Sequence, residues 1–594
     1  MNVKQGTPRT PGLSDRYKWV ALFNTTLGML MATIDGSIML ISLPNIFRGI
    51  RLDPLQPGNS FYLLWMILSF LVVTSLLVVN LGRLGDIYGR VRMYNLGFAI
   101  FTFFSLLLTI TWMTGQAAGL WLIVVRVFQG IGAAFLVANS SAILTDAFPE
   151  DQRGMALGIN QAAAISGTFI GLVLGGLLAP INWRLIFLVS VPIGLFGTVW
   201  GYLQLREVSR PTRAHIDWPG NLTFAFGLVS LMIGITYGIE PHGNHTMGWT
   251  SPAVLSELGA GVVLLIAFAV IETRVADPMF RLPLFRIRAF TAGVLASFLA
   301  AVGRGGLMFM LIIWLQGIWL PLHGYDFART PLWAGIAMLP LTSGFLIAGP
   351  LSGVLSDRYG ARPFATGGMV GSAASFVVLE LLPVNFSYWV FGPILLLLGL
   401  TMGCFGSPNR AGGMNSLPPQ HRGAGSGMNS TFQNSAQVLS IGIFFTLMIV
   451  GLSSSLPGAM YHGLVAQGVP TRVADRVAHL PPVSTLFAAF LGYNPMQHLL
   501  GSTVLSQLPA GHRALITGRS FFPNLISVPF RQGLHAAFDF AIVACLVAAA
   551  ASWMRGGKYV YVEPASRPAR AVIDGRDDQV RVDSMSILGS ESAP

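Results

Sequence analysis

The chain has 594 residues, of which 53% are hydrophobic and only 10% charged, with a mean hydropathy of +0.64. Soluble domains carry about a quarter charged residues, so this composition belongs in a membrane rather than in water. The formal net charge of +12 is scattered in small groups between apolar runs, without a basic block interleaved with aromatics, which argues against a nucleic-acid partner.

A helix needs roughly 20 apolar residues to cross the hydrocarbon, because every backbone amide must be satisfied within the segment. The polar stretch 1–17 leads into an apolar run too long for a cleavable signal, so the first helix is expected to be retained. Fourteen runs follow: 18–40, 61–81, 93–113, 118–140, 155–179, 184–205, 219–239, 253–272, 290–316, 332–355, 364–383, 386–408, 427–453 and 534–553. Of the Lys and Arg near helix ends, only Arg48, Arg51, Arg184 and Arg329 fall in the short loops of one side. That asymmetry predicts a multi-pass plasma-membrane protein with both termini in the cytoplasm. The segment 454–533 then lies outside. It is long for an idle connection and holds apolar stretches broken by prolines, suited to short helices that cap an outer mouth or lie on the membrane. The fourteen helices are expected to close without it, and the polar tail 556–594 is expected to be disordered. Cys404 and Cys545 lie in separate apolar runs, so no disulfide or metal site is expected.

The chain repeats itself. Gly82, Asp86 and Gly89 of "GRLGDIYGRVR" recur, each 271 residues on, as Gly353, Asp357 and Gly360 of "GVLSDRYGAR". Arg153 and Gly154 recur as Arg422 and Gly423, 269 residues on. Two matches in the same order at nearly one offset predict two parallel six-helix halves, 18–205 and 289–555, with two helices inserted over 206–288.

Several stretches carry a family resemblance. The loop with Gly82, Asp86, Gly89, Arg90 and Arg92 resembles the signature of the major facilitator superfamily. "IDGSIMLISLP" at 34–44 resembles the first-helix motif of its fourteen-helix drug:proton antiporter branch at Asp35 and Pro44, with Leu40 where an asparagine is usual. "RVFQGIGAA" resembles the fourth-helix motif through Arg126, Gln129, Gly130 and Gly132. "GTFIGLVLGG" resembles the fifth-helix antiporter motif through Gly167, Gly171, Gly175 and Gly176, with Leu172 where a proline is expected. The resemblance implies an all-α membrane protein of major facilitator fold, a monomer working by alternating access. It implies proton-coupled export of hydrophobic or amphipathic small molecules, with no cofactor beyond the proton gradient. Alternatives are an exporter of one lipid or metabolite and a non-transporting receptor. The chain has no phosphate-cradling GxxxxGK loop, which argues against an ATP-driven pump, and enzyme chemistry is not expected.

The charged loops are expected to gate, as latches that lock helices in one state of a rocking transporter through Asp86 and Asp357, against arginines or a helix N-terminus. The competing reading of Arg90 and Arg92 is a solvated anchor. Charges inside the bilayer are costly and point to function. Asp35 is the candidate proton carrier, with a carboxylate nearer an interface, such as Asp146 or Glu240, as the competing choice; Arg126 is expected to bias a neighbouring carboxylate or polar network, or to bond backbone carbonyls. Arg304 matches no motif; it either meets an anionic substrate group, pairs with Asp35, or joins a structural network. Asn429, Gln433, Asn434 and Gln437 share a helix face and, with Gln316, Asn160 and Gln161, are candidates for a cavity lining. Gly167, Gly171, Gly175 and Gly176 are expected to let a neighbouring helix approach closely.

Overall fold

A computed structural model describes residues 15–53, 55–56, 58–208, 217–243, 247–276, 278–418, 421–492 and 494–556. The N-terminal segment, the tail from 557 and the side chain of Asp357 lie outside the described residues. Among those described there is no β-strand, and fourteen helices are long and apolar enough to span a bilayer. They are α1 (Arg16–Ile50), α2 (Asn59–Tyr88), α3 (Arg90–Thr109), α4 (Gly115–Ala147), α5 (Met155–Leu178), α6 (Leu185–Gln204), α7 (Trp218–Gly238), α8 (Pro252–Glu272), α9 (Arg288–Leu322), α10 (Thr330–Ser356), α11 (Ala361–Leu381), α12 (Tyr388–Asn415), α13 (Ala424–Ser453) and α19 (Phe521–Trp553). Between the last two lie five short helices: α14 (Leu456–Val465), α15 (Thr471–Ala478), α16 (Pro482–Phe490), α17 (Met496–Gln507) and α18 (Ala510–Thr517).

The internal repeat is visible in the packing. In the first half α1 packs on α5, α2 and α3 pack on α4, and α3 on α6. The pattern returns as α9 on α13, α10 and α11 on α12, and α11 on α19. The inserted α7 and α8 pack on each other, and α7 reaches α2 and α13. The result is the fold expected from sequence: an all-α membrane protein of two six-helix halves with two helices between them.

Gly167, Gly171 and Gly175 recur one helical turn apart, so all three face α1. A Cβ on Gly171 would stand 2.1 Å from Ser37 Oγ and 2.5 Å from the Ile34 carbonyl oxygen. Gly176, one residue on, faces the other half, where a Cβ would lie 2.4 Å from the Leu332 Cα. Leu172 is fully buried, and a Cβ on Gly335 would meet its carbonyl oxygen at 2.9 Å. One glycine-rich stretch thus seats α5 on α1 and seals α5 against α10. Leucine at 172 packs into that seal. Toward the other end the same seam opens: a Cβ on Gly158 of α5 or Gly349 of α10 would meet nothing within 4 Å. The molecule is closed at the end of Gly176 and open between α5 and α10 toward the repeated loops.

The structure departs from expectation after α13. All nine residues of α16 are buried, and the helix sits at the closed end against both halves. Phe487 lies 5.3 Å from Phe445 of α13, and Phe490 lies 5.7 Å from Phe309 of α9. Arg48 of α1 donates to the Leu491 carbonyl at 3.4 Å. This segment is part of the core rather than an appended cap. The last helix also starts at Phe521 rather than 534. Pro529 and polar residues such as Asn524, Arg531 and Gln532 interrupt its apolar run, so hydropathy finds only its second part.

Candidate functional site

Asp35 is completely buried and Arg126 only 1% exposed. Arg126 and Gln129 stand three residues apart on α4 and therefore share a face. Arg126 Nη1 donates to Asp35 Oδ2 at 3.2 Å, and Gln129 Nε2 donates to Asp35 Oδ1 at 3.0 Å and to Ser105 Oγ at 2.9 Å. The guanidinium lies 4.9 Å from the centre of the Phe70 ring. Asp35 is therefore paired within the first half, and its partner is Arg126 rather than Arg304. Ser37, two residues on, touches Gly171, which places Asp35 at the level of the seal.

The loop between α2 and α3 is built around Gly89, whose φ of +107° suits glycine. A Cβ there would also stand 2.5 Å from Glu207 Oε2. That carboxylate accepts from the backbone N–H groups of Arg90 and Val91 at 3.0 Å each and of Arg92 at 3.4 Å. It occupies the positive end of the α3 dipole. Arg90 donates through Nε to Asp86 at 2.9 Å and through Nη1 to both oxygens of Asp146 at 2.7 and 2.8 Å. The charges thus tie α2, α3, α4 and the residues after α6 together inside one half. Asp86 faces an arginine, whereas the helix terminus belongs to Glu207. Arg83 of this loop donates to the Pro278 carbonyl in the connection between α8 and α9. In the repeated loop Gly360 has φ +89°, and Arg362 lies 3.7 Å from the Trp553 ring centre.

The polar cavity candidates divide. Gln161 and Gln433 meet across the open seam through a residue missed in the sequence. Arg410 of α12 donates to Gln161 Oε1 at 3.4 Å and to Gln433 Oε1 at 3.5 Å. Arg304 lies 5.8 Å from the Phe345 ring centre, on α9, which packs on the α12 that carries Arg410. Asn434 and Gln437 are half-buried on the same helix as Gln433. Gln316 and Asn160 are not cavity groups here. Gln316 is fully buried in a π-helical turn, Leu315–Trp319, and donates to the Ile41 carbonyl at 3.3 Å in the closed seam. Asn160 and Asn429 are buried, and Asn160 accepts from Ser140 at 3.3 Å.

The sequence model of the Major Facilitator Superfamily matches residues 25–441. The chain belongs to this superfamily. Among its relatives, the riboflavin transporter RibZ of Clostridioides difficile is 28% identical over 74% of this chain and 90% of its own. The tetracenomycin C resistance and export protein of Streptomyces glaucescens is 26% identical over 92% and 93%. A bacterial homolog of the human lysosomal transporter Spinster, solved in an inward-facing and unoccupied conformation, shares the fold with a TM-score of 0.57 and 17% identity, covering 91% of this chain and 98% of that one. The tetracenomycin C relative and the fourteen spans agree with the fourteen-helix, drug-resistance branch of the superfamily.

Sequence reasoning missed Arg410 and Glu207 because each sits at a run boundary, where a charge reads as an anchor, and it offered Asp146 for coupling rather than as the partner of Arg90. Their common signal is a charge within a turn or two of a membrane end that finds polar partners on other helices.

Proposed function

We propose that this superfamily member is a secondary transporter that exports hydrophobic or amphipathic compounds in exchange for protons, alternating between the open seam seen here and an opening at the α16 end. The observation that carries the reading is the sealed Asp35, Arg126 and Gln129 network at the closed end, with the exposed Arg410 meeting Gln161 and Gln433 across the seam toward the other. Such an arrangement lets one carboxylate exchange its proton on one side while the cargo is loaded on the other. The Lys and Arg asymmetry supports a cytoplasmic loop face, with both termini inside and the plasma membrane as the site. Relatives named for riboflavin transport and for tetracenomycin C export support a cargo of small organic molecules. The protein acts as a monomer without cofactor, powered by the proton gradient.

The test is flux in proteoliposomes with an imposed pH gradient, using riboflavin and hydrophobic dyes as cargo. Uphill movement that stops when a protonophore collapses the gradient is the expected result; flux indifferent to the gradient removes the coupling.

The loop is proposed as a latch that holds α2, α3 and α4 in one block while the halves rock. Asp86→Asn is expected to lower flux several-fold. Its pair with Arg90 is partly exposed, 38% and 25%, and such pairs contribute only about 0.2–1 kcal/mol. Abundance and thermal midpoint should therefore stay near wild type, as read by fluorescence-detected gel filtration. Wild-type flux removes the latch role.

A further inference from the structure

The second half presents two guanidinium groups, Arg304 of α9 and Arg410 of α12, to the same region of the open seam. Nothing described neutralises them. Among the described residues no carboxylate lies within salt-bridge reach of either, and the neighbouring charge that acts on Arg304 is Arg410, which repels it. A charge facing the interior of a membrane bundle is costly unless something pairs with it, and two like charges together cost more. Arg126, by contrast, has its acid beside it.

What does touch the pair holds it in place without cancelling its charge. Arg410 gives Gln161 and Gln433 bonds of 3.4 and 3.5 Å, at the long limit for N–H···O contacts. A guanidinium carries five donors, so most of its capacity stays open. The residue is solvent-exposed in this cavity. Its neighbour Asn409, by contrast, is buried and bonded to the Gly293 carbonyl at 2.9 Å and to Ser297 Oγ at 2.7 Å. That fixes α12 on α9, so the spacing of Arg304 and Arg410 is set by packed backbone. Arg304 lies over Phe345, which puts an aromatic surface beside the charge. Gln161 belongs to the first half, so a ligand at this point touches both halves across the seam.

We propose that Arg304 and Arg410 form the anion-binding part of the transport cavity, and that the cargo is an amphipathic organic anion whose carboxylate or phosphate meets the two guanidinium groups while its apolar body lies along Phe345. The proposal rests on the export reading and narrows its cargo class. It is read by binding, without any gradient, so a failure of proton coupling leaves it intact and its own failure leaves coupling untouched. The anion fits the geometry because planar guanidinium groups favour bidentate oxyanion contacts.

The experiment titrates purified full-length protein in detergent with 11-(dansylamino)undecanoic acid and with its methyl ester, following dansyl fluorescence. One charge-assisted hydrogen bond contributes about 1.5–3 kcal/mol, so the acid is expected to bind at least about tenfold more tightly than the ester. Arg304→Gln with Arg410→Gln should erase that preference while the ester binds as before, which also shows that the cavity remains folded. Arg410→Lys should retain part of the preference. Octanoate and lysophosphatidate, added as competitors, separate a soluble anion from a lipid as the source; displacement by either supports the site. Equal binding of acid and ester by the wild type, a preference that survives in the double variant, or stronger binding of the cation rhodamine 6G than of the acid overturns it.

Discussion

Asp35→Asn is expected to abolish gradient-driven flux while substrate binding survives. Asparagine keeps the size and an acceptor oxygen for Gln129 and Arg126, but it cannot take up or release a proton. The other carboxylates considered for coupling are committed elsewhere. Asp146 is held by Arg90 at 2.7 Å at the loop end. Glu240, beyond α7, accepts from Ser60; burial pushes its carboxyl above the ordinary range, with the Ser60 bond offsetting part of this. Neither sits at the seal between the halves. Removing the charge of Asp35 also leaves Arg126 buried beside a neutral partner, and breaking a buried pair costs about 3–5 kcal/mol. A drop in thermal midpoint is therefore expected, and the double variant Asp35→Asn with Arg126→Gln should recover part of it without recovering flux. The deciding measurement is substrate-induced proton release from purified protein. If the single variant releases protons like the wild type, coupling belongs to another group.

Much of this site was legible because the residues concerned are expensive. A buried carboxylate and a buried arginine at membrane depth announce themselves against an apolar background, and their motifs placed Asp35 on the first helix and Arg126 on the fourth, though not in contact. The glycines of α5 were legible for a similar reason: spacing by four implies a close neighbour, though not that Gly176 would face the other half while Gly171 faces α1. Side-chain partners were not legible. Asp86 and Glu207 are 121 residues apart, and only the fold reveals that the second rather than the first takes the α3 terminus. The amides misled more often. Gln316 and Gln433 look alike in sequence, yet one is sealed in a π-helical turn against Ile41 and the other meets Arg410 in open solvent, because the direction of a face depends on which seam is closed.

The largest structural effect is expected from α16. Sequence alone treats 454–533 as dispensable, so a chain shortened by removing 460–525 should fold and merely change its cargo range. The structure leads to the opposite expectation. Val483, Leu486, Phe487 and Phe490 are all buried to within 1% exposure, and each such side chain contributes about 1.5–3 kcal/mol on burial. Their sum rivals the whole net stability of a typical domain, about 5–15 kcal/mol. The same excision also takes the first residues of α19, including Phe522, which is buried too. The shortened chain should yield no stable protein. A milder change separates folding from gating: Phe487→Ala should cost about 3–5 kcal/mol as a cavity-forming core substitution, lowering the thermal midpoint while the protein remains soluble in detergent. Because α16 touches Arg48 of the first half through Leu491 and Phe309 and Phe445 of the second, opening that end requires it to leave at least one half. Loosening it should therefore favour the opposite opening. Cysteines placed at Ile41 and Gln316, which meet across the closed seam, should be bridged by a short bifunctional thiol reagent less readily in Phe487→Ala than in the same pair on the wild-type background. Equal crosslinking, with a stable shortened chain, would return α16 to the role of a passive cap.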